Sequence, residues 1–426
     1  MDALLPAAAP DPVPADPIPA DPIPADRIPD VSDRVVPPLV RGAAAIAHRA
    51  FAGAPLAALQ AFIDRPAATL AETAALALDM ALAQELTFHP EAARALQFQA
   101  LAQCQLYRVE NPGQSAAPLR VLALVAPGDL MVNTPLDFIT AHLDIRLDLL
   151  YLRPGHPLPQ EVPEHDVAFF AVSESDPVCL LRLMALHAHW PRPAINDPAR
   201  VIGLSRDGVA RLIGGVPAVL APPIRRLARA SLHAPQPALD GLDAAAPLLI
   251  RPLGAHAGHG LARLDDATGL AAYLRDSQAS QFYVSQFAEY RGTDGLYRKY
   301  RIAFFDGAPF LCHMAVSEHW MIHYLNAGMA HSAEKRAQEA HAMATFEEGF
   351  ARRHAAAFAA IHARLSLDCW SMDCGEMPDG RLIVFEVDVA AIIHMMDPPA
   401  LYPYKPAAMR RAFAGFEAML RRRITA

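Results

Sequence analysis

The chain has 426 residues, 53% of them hydrophobic, which is enough for two or three domains with real cores. Its net charge of −8 and lack of a basic tail argue against general nucleic-acid binding. No apolar run reaches the 18 residues that a membrane span requires, and the proline-rich, acidic N-terminus does not read as a signal peptide. The five cysteines (104, 179, 312, 369, 374) are odd in number and lack zinc-like spacing, so a reduced, cytoplasmic setting is expected.

Residues 1 to about 38 are of low complexity, with Ala-Asp-Pro-Ile-Pro repeating every five residues over 15–29, and are expected to be extended and mobile, with no catalytic role. Residues 39–110 are rich in alanine and leucine. Leu70, Ala74, Leu78, Ala81 and Leu82 mark one amphipathic helix. Ala93, Leu96, Leu101 and Leu106 mark a second, opening after Pro90, and together they predict an α-helical N-terminal domain.

The pattern changes at Asn111. Apolar runs at 120–127, 145–152, 166–172 and 193–196, with a helix over 177–189, predict a small α/β unit with a parallel sheet over residues 118–200. Its first strand is not followed by G-x-G-x-x-G, so a dinucleotide site is not expected.

The third block, 201–426, opens with a helix at Leu204–Ile213. A strand follows at Pro247–Pro252, then a loop with Gly254, Gly258 and Gly260. Further strands are expected at 282–287 and 300–305, the latter turning at Asp306-Gly307 into 310–314. A long helix is expected over about 333–365 and a closing amphipathic helix over 407–423. Between them, Ser371 to Asp388 reads as two strands joined at Asp379-Gly380. Asp373 is placed near the end of the first strand. Glu386 and Asp388 are two apart on the second and share a face. Three carboxylates from one hairpin suit magnesium, although such carboxylates also commonly just face solvent. Cys369 and Cys374, flanking Asp373, read as small buried hydrophobes.

The order of these parts resembles the ATP-grasp superfamily over residues 118–426. The resemblance implies a small α/β pre-domain followed by an ATP-grasp domain with lobes of about 203–285 and 286–426, an α+β and α/β architecture behind the helical N-terminal domain. Leu204-Ser-Arg-Asp207 resembles the family's Leu-Ser-x-Asp-Lys, with Gly208 where the lysine stands and Arg206 or Arg211 as replacements. Leu248-Leu-Ile-Arg-Pro resembles its Val-Val-Lys-Pro strand, which puts Arg251 on the ATP phosphates before a glycine flap of Gly254, Gly258 and Gly260. No Gly-Lys-Ser/Thr occurs, so a P-loop is excluded.

Tyr283 to Ala288 resembles the hinge that holds adenine, through Gln286, Phe287 and Ala288. Lys299-Tyr-Arg301 resembles the strand that meets the γ-phosphate or acyl phosphate, which makes Arg301 and Lys299 the catalytic cations. Asp373 and, 13 residues later, Glu386-Val-Asp388 resemble the metal set, with Asp388 in place of the family's asparagine. His319, His323 and Asn326 are candidates for a cleft wall, and His394 stands where relatives often carry a small turn.

What the resemblance implies is an ATP- and Mg2+-dependent carboxylate–amine ligase working through an acyl phosphate. An ATP-grasp kinase and a nucleotide-binding scaffold without turnover stay open as alternatives. The expected partners are small-molecule or peptide carboxylate and amine substrates, with a homodimer left open and neither nucleic acid nor membrane involved.

Overall fold

The apolar runs of the N-terminal half pair into one sheet. The computed structural model describes residues 26–233, 239, 241–243, 246–255 and 258–425. Among these, the first half carries β1 (Asp30–Ser32), β2 (Leu39–Val40), β3 (Leu106–Val109), β4 (Leu119–Val125), β5 (Ile145–Tyr151), β6 (Glu161–Pro163), β7 (Val167–Phe170) and β8 (Ala194–Ile195). Six of them form a sheet in the order β2-β3-β5-β4-β7-β8, with β5, β4, β7 and β8 parallel; the apolar residues 121–125 of β4 and all of β7 are buried throughout, as suits inner parallel strands.

Helices Leu70–Leu86 and Pro90–Gln103 form as the periodicity predicts and pack on each other. The first is closed by a reciprocal cap in which Thr69 accepts from the Glu72 N–H (3.1 Å) and Glu72 accepts from the Thr69 N–H (2.9 Å). Pro90 occupies the first turn of the second, where no N–H is needed.

Two expectations are corrected here. The helices are not a separate domain, because β2 and β3 on either side of them enter the six-stranded sheet, and Leu106 lies on β3 rather than on a helix. The extended segment does not run to residue 38. Of that expectation, residues 1–25 lie outside the described residues, but β1 pairs in parallel with β6, and Asp26 forms a two-pronged ion pair with the buried Arg182 (2.5 and 2.7 Å). A buried guanidinium requires such a partner, and Asp26 supplies it from a stretch whose proline content suggested no packing.

The second half carries β9 (Val219–Leu220), β10 (Ile224–Ala228), β11 (Leu248–Pro252), β12 (Ala262–Leu264), β13 (Gln281–Gln286), β14 (Tyr297–Phe305), β15 (Ala308–Ser317), β16 (Cys369–Glu376) and β17 (Leu382–Asp388). They form a four-stranded antiparallel sheet, β10-β13-β11-β12, and a five-stranded sheet, β15-β14-β16-β17-β9. The first lobe therefore begins near residue 224 rather than 203, since β9 joins the larger sheet beside β17.

The expected long helix is broken into Ala333–Ala344, a π-helical turn Glu347–Ala351 and Ala355–Leu365. At the break the Thr345 hydroxyl bonds back to the His341 carbonyl (2.9 Å), and Gly349 follows. Helix Ala355–Leu365 covers one face of the larger sheet, where Phe304 stacks on Trp370 at 3.9 Å and meets Phe358 edge-on.

The C-terminal helix, Lys405–Thr425, is wedged between the five- and six-stranded sheets, with Phe416 touching Phe169 of one and Phe305 of the other. Gly415 lets it approach, because a Cβ there would lie 2.3 Å from the Phe310 ring. Each aromatic ring so buried contributes about 1.5–3 kcal/mol. Asn196, after β8, completes the junction. Its Oδ1 accepts from the N–H groups of Asp368 (3.1 Å) and Cys369 (3.0 Å), and its Nδ2 donates to the Cys369 carbonyl (2.8 Å).

Candidate active site

Strand register builds the site. Across the larger sheet His313 of β15 faces Arg301 of β14, Arg301 faces Asp373 of β16, and Asp373 faces Glu386 of β17. One polar row therefore crosses four neighbouring strands, and Lys299 stands two residues before Arg301 on the same face. Asp373 lies in mid-strand, not near the strand end. The smaller sheet stands opposite with Arg251, and the gap between the two sheets is a cavity of about 430 Å3. Arg206, Arg251, Lys299 and Arg301 line it together with Glu174, Asp373, Glu386 and Asp388.

These charges are unevenly satisfied. Arg301 grips Asp373 with two bonds (2.8 and 2.9 Å) and Lys299 adds a third (2.9 Å). Burial alone would raise the Asp373 pKa, but Arg301 and Lys299 outweigh it and hold the carboxyl far below the usual range. Arg206 pairs with Glu386 at 2.5 Å. Asp388 accepts from the Ala390 N–H (2.6 Å), and burial followed by the charge of Glu386 raises its pKa to about 6. Glu174 is raised further, to about 8, by burial and then by Asp388, and its buried Oε2 has no hydrogen-bond partner.

Arg251 is 9% exposed. Its Nη2 donates to the Ala255 carbonyl, but its Nε has no acceptor among the described residues. Burial, then the nearby Arg206, lowers its pKa to about 10, so it remains a cation at neutral pH with an unused donor. A buried cation in this state is a built demand for an anion.

Most residues singled out in the sequence do converge. Arg251, Gly258, Gln286, Phe287, Ala288, Lys299, Arg301, Asp373, Glu386 and Asp388 all line the one cavity, as do His323 and Asn326. Gly254 and Gly260 do not. They take left-handed φ values of 77° and 62° that shape the loop between β11 and β12, and a side chain at Gly260 would strike Pro252.

The amide of Gln286 is already engaged, donating to the Pro247 carbonyl (2.9 Å) and accepting from the Asp243 N–H (3.1 Å), so it braces the strand. His319 is exposed and lies outside the cavity, and His394 accepts from the Met396 N–H instead of facing it. A Cβ at Gly208 would sit 2.2 Å from the Gly203 carbonyl, so no lysine fits that backbone. Of the two proposed replacements, Arg206 lines the cavity, while Arg211 is exposed and pairs with Asp207.

The three-carboxylate metal set is not assembled. Asp373 is taken up by Arg301 and Lys299, and among the described residues no three His, Cys, Asp or Glu side chains stand close enough to hold an ion. Glu386 and Asp388 remain, adjacent and mutually repelling. Two carboxylates fit magnesium when substrate phosphates and water supply its other ligands. Sequence reading missed Glu174 and His313. Glu174 follows the carboxyl end of a parallel strand, where ligands of open α/β sheets gather, so position alone signalled it. His313 depended on strand register, which the sequence does not display.

No protein-family model and no curated protein matches this chain. Several solved structures are similar in fold. A D-alanine–D-alanine ligase from Bacillus anthracis, complexed with ATP, aligns with 72% of this chain and 97% of its own at 13% identity and a TM-score of 0.40. A RimK-domain ATP-grasp protein from Sphaerobacter thermophilus aligns with 72% of this chain and all of its own (15%, 0.39). The VanG D-Ala:D-Ser ligase from Enterococcus faecalis aligns with 71% of this chain and all of its own (11%, 0.44).

Proposed function

We propose that the chain binds ATP with magnesium between its four- and five-stranded sheets and uses it to join a carboxylate to an amine through an acyl phosphate. The observation that carries this reading is the convergence of four cations and four carboxylates on one cavity, with the buried Arg251 Nε unpaired. Arg251 meets the inner phosphates, Gly258 lets the backbone approach them, and the segment from Gln286 to Ala288 walls the base. Magnesium, held by Glu386 and Asp388, would neutralise charge on the outer phosphates.

The ion pairs present without ligand, Arg206 with Glu386 and Arg301 and Lys299 with Asp373, are exchanged as the phosphates draw on the cations. Arg301 and Lys299 then face the γ-phosphoryl group as a substrate carboxylate oxygen bonds to phosphorus and ADP leaves. An amine nitrogen next bonds to the acyl carbon, the phosphate departs with its bonding pair, and the nitrogen loses a proton. Such transfer is mostly positioning and electrostatics, so no nucleophilic side chain is required. The five free thiols, four of them buried, are in keeping with a reduced, cytoplasmic setting.

A second reading, a nucleotide-binding scaffold without turnover, draws on those same ion pairs, in which Arg206, Lys299 and Arg301 are already matched to carboxylates. Incubation of the full chain with ATP, magnesium and a panel of amino acids and short peptides separates the readings. A ligase forms amide, ADP and phosphate in equal amounts. A kinase leaves a phosphorylated product and gains nothing from an added amine. A scaffold binds ATP and releases no ADP with any pair, and that outcome would overturn the ligase proposal.

A further inference from the structure

A second cavity, also of about 430 Å3, lies away from the first, between helices Leu70–Leu86 and Pro90–Gln103 and the six-stranded sheet. Most of its wall is apolar, from Leu78, Leu82, Ala93, Val125, Val132 and Leu136. Its size and apolar lining are those of a small-molecule site. Four acidic side chains, Asp79, Glu85, Asp129 and Asp137, also line it. Three of these are committed to the backbone: Asp79 accepts from the N–H groups of Arg41 and Gly42, Asp129 from that of Met131, and Asp137 from that of Ala44.

Glu85 differs, since one oxygen accepts from the Leu130 N–H (2.9 Å) and the other accepts nothing among the described residues. Independently of the acids, Thr134 is only 7% exposed, lines the same cavity, and its Oγ1 has no hydrogen-bond partner among the described residues. Arginines reach Asp79 from behind, through Arg65, but the only basic side chain among the described lining residues is Arg94, which is exposed at the rim.

We propose that this cavity binds a small molecule with an apolar body and a protonated amino head, the head bonding to the Glu85 carboxylate and the Thr134 hydroxyl. An apolar wall demands the body. A buried hydroxyl left unpaired costs free energy that a donor in the ligand recovers, and a carboxylate in an apolar wall selects a cation over a neutral head. The loop from Gly128 to Leu136 lies against both cavities, since Leu130 and Val132 line this one and Met131 the other. The proposal does not depend on the nucleotide reading of the first cavity.

The test uses the full chain and two probes of equal length, hexylamine and 1-hexanol, titrated by calorimetry at pH 7.5. Hexylamine is expected to bind saturably and at least tenfold more tightly than hexanol. Glu85→Gln keeps the acceptor for Leu130 and removes the charge, so it is expected to erase that preference while leaving hexanol binding unchanged. Thr134→Val removes the hydroxyl at nearly constant shape and is expected to weaken hexylamine several-fold. Melting curves establish that each variant folds. Equal affinity for the two probes, no saturable hexylamine binding, or a preference that survives Glu85→Gln would each overturn the proposal.

Discussion

Asp388 ionises against its surroundings. Its pKa stands at about 6 in the folded chain against 3.8 as the reference, through burial and the neighbouring Glu386. A carboxyl whose folded pKa is raised binds its proton more tightly in the folded state, so stability is lost as pH rises from about 4 through 6. Asp388→Asn keeps an acceptor for the Ala390 N–H and removes the charge. In the absence of metal it is expected to match the wild type near pH 4 and exceed it by about 1–3 kcal/mol at pH 8. Chemical denaturation at the two pH values measures this, and a variant less stable at pH 8 would contradict it. The acidic hairpin was legible because Asp379-Gly380 punctuates two apolar runs. The grip of Arg301 and Lys299 on Asp373 was not, since it arises only when β14 and β16 pair in one register.

Asn196 joins elements that sequence treats as separate. It ties the end of β8 to the start of β16 through three side-chain bonds and adopts φ 57°, at 1% exposure. Asn196→Ala is expected to cost about 2–4 kcal/mol, because it leaves buried backbone groups unpaired. Asn196→Gly is expected to cost about 1 kcal/mol less, because glycine takes the left-handed backbone without strain. Equal losses in denaturant titrations would show that the backbone conformation carries no penalty.

At this scale the reading of elements succeeded for long, strongly patterned segments: the parallel strands, the capped helices and the final hairpin. It failed for β1, β2, β6, β9 and β12, two or three residues each, because strands so short hold no period and are fixed by the neighbour they pair with; it also missed the longer β10, and it read Leu106 of β3 as part of a helix. The unbroken helix expected over 333–365 is instead interrupted at Thr345, whose hydroxyl shares the His341 carbonyl with its own N–H, and by the π-helical turn that follows.

The whole molecule is held by contacts distant in sequence. Asp26 and Arg182 lie 156 residues apart and bury an ion pair, while β1 adds a strand beside β6. Deleting residues 1–38 is therefore expected to lower the melting temperature by ten degrees or more, and Asp26→Ala to cost about 3–5 kcal/mol by leaving Arg182 buried without its counter-charge. A deletion with an unchanged melting temperature would show that this edge of the molecule adds nothing. No helix among the described residues is long and apolar enough to cross a membrane.

Larger divisions were legible as changes of texture at Asn111 and near residue 203, yet the C-terminal helix wedged between two sheets was not, since nothing local says which two surfaces it will cover. The central claim is that the cleft between the four- and five-stranded sheets takes magnesium and ATP, with Arg251 on the phosphates. Titration of ATP into wild type and Arg251→Met, each with and without magnesium, tests it most directly. The expected result is magnesium-dependent binding to the wild type and at least a tenfold loss in a variant that is as stable as its parent, since it no longer buries an unpaired donor. Equal affinity of the two proteins, or no binding to the wild type in either condition, would contradict the account.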